Sequence, residues 1–138
     1  MHQVVWQGRM AFEAQPESGN RIVMDAYPES GGQGKGPTPL ETMLCAAAAC
    51  SAMDVISILE KKRQVVTSYR VEIGGERTAE GVYPRPYTSI TVKHILKGEN
   101  LDPDAVARAV QLSDEKYCTV LATLRAQPKI ESVYEIES

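Results

Sequence analysis

The stretch that most constrains this chain is GPTPLETMLCAAAACSAMDVISILEKKR, Gly36 to Arg63. From Met43 to Met53 it carries no charge, and five of those eleven residues are Ala, small enough to let another helix or another subunit come close. Pro37 and Pro39 forbid helix upstream and Pro39 suits a first turn. Thr38 stands before it as a cap, and Glu41 lies near the positive end of the helix dipole. Lys61, Lys62 and Arg63 put cations where the last carbonyls need them. A helix of about 24 residues at about 1.5 Å each runs about 36 Å, enough to cross a small domain. The expectation is a long, buried central helix.

The remainder of the chain has to cover that rod. Residues 3–14 alternate, with Val4, Trp6, Met10 and Phe12 on one face, and read as a half-buried strand. PESGN, Pro16 to Asn20, supplies a turn into a returning strand from Arg21 to Ala26, and Tyr27 to Gly36 reads as a flexible loop. It is not a phosphate loop, because Gly34 and Lys35 lack the rest of the Walker pattern. After the helix, residues 65–76 place Val65, Thr67, Tyr69, Val71 and Ile73 on one face of a strand. A glycine- and proline-rich loop then leads to a second strand at 87–97, with Ile90, Val92, His94 and Leu96 on one face. Asp102, Pro103 and Asp104 open a helix, Ser113 and Asp114 mark a bend or a second start, and Pro128 ends it. Residues 129–136 alternate as a last strand. Strands in adjacent pairs, rather than strictly alternating with helices, define an α+β fold, in one domain spanning residues 1–138. Five strands and a helix pair barely cover so long a helix, so a second copy is expected to complete the core as a homodimer.

Composition narrows the function. At 138 residues the chain can build a core without disulfide or metal staples. A net charge of −3 argues against a nucleic-acid or anionic-membrane surface. The uncharged run of the central helix ends at Asp54, about 11 residues along, which reads as too short for a bilayer span. The opening MHQVVWQGRMAFEAQ has no apolar signal-peptide core, and three cysteines at unrelated spacings do not make a secreted disulfide framework. The expected location is the cytoplasm.

Cys45 and Cys50 lie five positions apart on the helix, about 140° around its axis at about 100° per residue, and cannot bridge each other. The pair to consider is Cys50 with Cys118, one from each major helix. They are either a redox pair or two thiols buried for packing. Cys45 reads as packing, and His94 as a core-edge histidine bonded to backbone. No CxxC or HxxxH spacing offers a metal site, Ser51 lacks the flanking glycines of a nucleophile elbow, and no cofactor is implied.

GPTPLETMLCAAAACSAMDVISIL followed by SDEKYCTVL resembles the OsmC/Ohr family of osmotically inducible and organic-hydroperoxide-resistance proteins. The likeness covers nearly the whole chain, since length and element order agree as well. It implies an OsmC-like fold in an intertwined homodimer, with thiol-dependent reduction of organic hydroperoxides at the subunit interface in defence against oxidative stress. Cys50 would be the peroxidatic thiolate and Cys118 the resolving thiol. An external dithiol, a lipoylated protein in the best-studied members, would reset the pair. The family activates its thiol with an Arg from the N-terminal loop and a Glu just after the helix-opening Pro. Here Arg9, Arg21 and Glu41 are the candidates, with Leu40 directly after Pro39 and Thr119 after Cys118 where many members have Pro. The alternative from another class is a non-catalytic dimer of this fold binding a small apolar ligand at the interface.

Overall fold

The computed structural model describes residues 1–137. In order they form β1 (Gln3–Trp6), β2 (Phe12–Gln15), β3 (Ile22–Met24), α1 (Pro39–Lys61), β4 (Val65–Arg77), β5 (Tyr87–Glu99), α2 (Pro103–Leu112) and α3 (Thr119–Ala126), with a π-helical turn at Ser113–Tyr117. The architecture is α+β, as the strand pairs imply. Two compact units divide the chain. One holds Met1–Ala46 with Ile73–Thr91, the other Ala47–Glu72 with everything from Val92 on, so α1, β4 and β5 contribute to both.

In the first unit β1, β2 and β3 make an antiparallel sheet in that order, with Trp6 opposite Phe12 and Phe12 opposite Met24. The alternation at 3–14 is therefore two strands rather than one. Gly8 (φ 97°) and Arg9 (φ 50°) are successive left-handed residues, the tight reversal that suits antiparallel twist, and Gln7 N–H donates to the Ala11 carbonyl at 2.8 Å. The glycine-rich approach to α1 is also more ordered than its composition implies. The buried Asp25 carboxylate accepts from the amides of Ala26 (2.7 Å), Gln33 (3.1 Å) and Lys35 (3.1 Å). Gly36 passes so close to β3 that a Cβ there would meet the Val23 carbonyl oxygen at 2.1 Å.

Both ends of α1 follow their sequence signals. Thr38 Oγ1 accepts from Glu41 N–H at 3.2 Å, capping the first turn. At the other end Gln64 N–H reaches the Leu59 carbonyl and Arg63 N–H the Glu60 carbonyl, a Schellman ending in which Arg63 takes the left-handed position (φ 57°) that glycine usually fills. Burial runs along one stripe, Leu44, Ala47, Ala48, Ser51, Val55 and Leu59, whereas Met53 is 68% exposed. Within one chain α1 is thus a half-covered helix, not one buried all round. It also continues through Asp54 over 23 residues, which makes it long and apolar enough to cross a bilayer. The length argument against a span does not hold, then; what α1 does here is bury its stripe in protein.

In the second unit Val55 and Leu59 of α1 meet Ala105 and Ala109 of α2, with Val66, Tyr69 and Leu96 of the β4–β5 sheet packed around them. The two alanines leave room for Leu59 to be fully buried. Val66, not Val65 or Thr67, is the half-buried residue at the start of β4, so the inward face shifts by one place before Tyr69, Val71 and Ile73 resume the expected alternation. Asp102 caps α2 by accepting from Asp104 N–H at 3.0 Å. The π turn then buries Ser113 completely and draws Cys118 N–H onto the Ser113 carbonyl (2.9 Å), so that Cys118 opens α3 in extended conformation. The last strand expected at 129–136 is absent among the described residues. Ile130, Val133, Tyr134 and Ile136 are almost fully exposed, because a strand needs a sheet edge and this segment pairs with none in its own chain.

Candidate active site

α1 presents Cys50 half-buried, and the start of α3 presents Cys118 only 3% exposed. The two thiols lie close enough for Cys50 to act on the titration of Cys118. Burial pushes the Cys118 thiol above its ordinary 9.0. The Leu121 amide pulls the other way, and Cys50 and the Asp54 carboxylate each push it higher. Cys118 is accordingly a protonated thiol at neutral pH. Of the sequence-derived site residues, these two are brought together.

The remaining candidates are occupied elsewhere. Cys45 is exposed, contrary to its reading as a packing residue. Arg21 pairs with Glu13 at 3.3 Å, Arg9 forms the β1–β2 turn, and its carbonyl accepts from Trp6 Nε1 at 2.8 Å. Glu41 accepts the Tyr27 hydroxyl, which raises the Tyr27 phenol. All of these residues belong to the first unit, and the cysteine pair to the second.

What the sequence reading missed is a line of polar side chains beside the thiols. Tyr69 Oη lies 2.7 Å from His94 Nδ1, His94 Nε2 lies 3.4 Å from Ser51 Oγ, Ser51 Oγ lies 3.1 Å from Ser113 Oγ, and Ser113 Oγ donates to Asp54 Oδ2 at 2.9 Å. His94 is bonded to side chains, not to backbone as expected. Burial lowers its pKa, partly opposed by Asp114, and burial raises Tyr69 to about 12, so both rings are neutral at pH 7. The signal available in sequence was a serine and an aspartate, Ser51 and Asp54, in the middle of a helix whose other charges lie at its two ends. Past Asp54 opens a groove of about 480 Å³ lined by Ser57, Ile58, Lys61, Leu112 and Tyr117.

A thiol on a long helix beside a second thiol at the start of α3, in an α+β chain with a two-stranded and a three-stranded sheet, defines a thiol-bearing α+β class. Within that class the family model described as OsmC-like protein matches residues 32–133. The chain belongs to the OsmC-like family. It is 43% identical over 133 residues to protein YhfA of Escherichia coli K12, covering 96% of this chain and 95% of YhfA. A structure solved under structural genomics superposes with a TM-score of 0.80 at 39% identity, covering 98% of this chain and 96% of that one. A Vibrio cholerae structure assigned provisionally as an organic hydroperoxide resistance protein superposes at 0.59 with 12% identity, over 89% of this chain and 83% of its own, a likeness of fold alone.

Proposed function

We propose that this protein is a cytoplasmic, homodimeric hydroperoxide reductase that works through Cys50 and Cys118. The observation that carries the reading is the adjacency of a half-buried thiol and a buried one. Cys50, the accessible member, attacks the outer oxygen of an organic hydroperoxide as thiolate. The O–O bond breaks, the alkoxide takes a proton and leaves as alcohol, and Cys50 becomes a sulfenic acid. Cys118 then attacks the Cys50 sulfur, hydroxide leaves as water, and the disulfide forms before over-oxidation. An external dithiol reduces that disulfide and completes the cycle.

The dimer is supported by apolar surface that one chain leaves uncovered: Val4, Trp6 and Phe12 on the first sheet, Met53 on α1, and the segment from Ile130 to Ile136. A cytoplasmic setting agrees with three free thiols.

Cys118→Ser separates the two chemical steps. With one equivalent of cumene hydroperoxide, the variant is expected to hold a dimedone-reactive sulfenic acid at Cys50, whereas the wild type loses two thiols and gives none. Identical products from the two proteins would remove Cys118 from the mechanism. Full recovery of all thiols in the wild type would make the chain a non-catalytic binding module of this fold.

A further inference from the structure

The π turn between α2 and α3 is tied to α1 through Ser113, which is completely buried. Its hydroxyl donates to Asp54 Oδ2 at 2.9 Å and lies 3.1 Å from Ser51 Oγ and 3.3 Å from the Ser51 carbonyl. All three groups belong to the turn of α1 that follows Cys50. The Ser113 carbonyl accepts the Cys118 amide at 2.9 Å, and the Cys118 carbonyl accepts from Ala122 of α3 at 3.0 Å. A continuous run of hydrogen bonds therefore leads from the residues next to Cys50, through Ser113, to the backbone of Cys118. Every member of it lies in the second compact unit.

A second tie holds the same turn from the α3 side. Arg125 meets the Asp114 carboxylate at 2.6 Å and the Asp114 carbonyl at 3.0 Å. Both side chains are more than half exposed, so water and salt weaken that pair, and it joins the turn to α3 rather than to α1. The Ser113 tie is the stronger constraint. It is a hydroxyl held out of water and bonded to a carboxylate, and its removal leaves the half-buried Asp54 without that donor.

We propose that Ser113 is a positioning residue of the resolving step, its hydroxyl anchoring the π turn to α1 beside Cys50 while its carbonyl holds Cys118 at the start of α3. This rests on the two-cysteine reading. Ser113 takes no part in the bonds that change. Cys118 loses its proton, its sulfur attacks the sulfenic sulfur of Cys50, the S–O bond breaks, and the hydroxide leaves with that proton as water. The competing reaction is a second hydroperoxide, which gives an oxygen to the sulfenic sulfur, leaves as alcohol and makes a sulfinic acid. Placement decides between them, because a reacting group displaced by about 1 Å loses on the order of 100-fold in rate.

The test is rapid-quench oxidation of the reduced full-length protein with cumene hydroperoxide, first one equivalent and then an excess, scoring sulfenic acid, disulfide and sulfinic acid by mass. Ser113→Ala is expected to form sulfenic acid within about two-fold of the wild-type rate, to close the disulfide at least about ten-fold more slowly, and to gather sulfinic acid at Cys50 under excess oxidant. Asp54→Ala cuts the same tie from α1 and covers the case in which Ser113→Ala fails to fold. It should slow closure alike, and the double variant should be no slower than the slower single one. Asp54→Asn keeps an acceptor oxygen for Ser113 and should close within about three-fold of wild type. Ser51→Ala removes another buried hydroxyl but spares the bond from Ser113 to Asp54. It should lower the urea midpoint yet leave closure within about two-fold, a split that a merely structural role would not give. Closure at the wild-type rate in Ser113→Ala, or a Ser51→Ala variant as slow as Ser113→Ala, overturns the positioning role and leaves the two-cysteine cycle intact. A wild type that forms no sulfenic acid overturns the cycle itself, and the positioning role with it.

Discussion

His94 holds its place as a neutral ring, and that has a consequence for stability. Its folded pKa lies below the unfolded value of 6.5 because burial disfavours the cation. Between those two values the unfolded chain binds more protons than the folded one, so stability falls as pH drops below 6.5 and levels off beneath the folded pKa. Urea midpoints at pH 7.5 and 5 should differ in the wild type, and the His94→Gln difference should be smaller. Asp25 has the opposite chemistry with the same sense. Three backbone amides depress its carboxyl, so the order it gives to residues 26–36 is present above 3.8 and lost as pH falls through its folded pKa. Leu59 carries the packing: fully buried between α2 and the sheet, Leu59→Ala should cost about 2–5 kcal/mol in denaturant unfolding. Helix geometry excludes a bond between Cys45 and Cys50 and goes no further; that Cys50 and Cys118 belong together was an expectation carried by the family resemblance. The bonds of His94 were not legible in sequence, because strand alternation says which face a residue occupies and nothing about which distant side chains share it.

At the scale of elements, α1 was the most legible, since Thr38, Pro39 and the terminal cations act through local geometry that the chain does not override. Its C-terminal end makes a prediction of its own. Arg63 occupies a left-handed position that costs an L-residue about 1–2 kcal/mol, and Arg63→Gly should relieve part of that strain and raise the melting temperature. A lower melting temperature would mean that the Arg63 side chain holds the helix end more than its backbone strains it. The split of the first strand shows the opposite case. Gly8 was the turn signal inside the alternation, and a single glycine is a weak signal until its φ is known. Ser113 and Asp114 marked a bend at this place but not its π-helical form, and that form sets both the burial of Ser113 and the position of Cys118.

At the scale of the whole molecule, one chain leaves apolar surface in water, and that surface is the ground for the proposed dimer. The sole tryptophan, Trp6, is 63% exposed, and residues 129–136 alternate like a strand with no edge to join. The α+β class could be read from the sequence because strand pairs and caps are local signals, whereas the cover of α1 and the pairing of residues 129–136 depend on long-range contacts that alternation does not encode. Sedimentation at micromolar concentration should give twice the 15.1 kDa of one chain, and a species of 15.1 kDa at all concentrations would leave that surface without a partner.

The most direct measurement is peptide mapping under non-reducing conditions after one equivalent of cumene hydroperoxide. The expected product is a single intrachain bond between Cys50 and Cys118, with Cys45 still alkylatable and the bond reversed by a dithiol. Oxidation that stops at Cys50, or that joins chains through the exposed Cys45 while Cys118 stays reduced, would contradict a two-cysteine cycle.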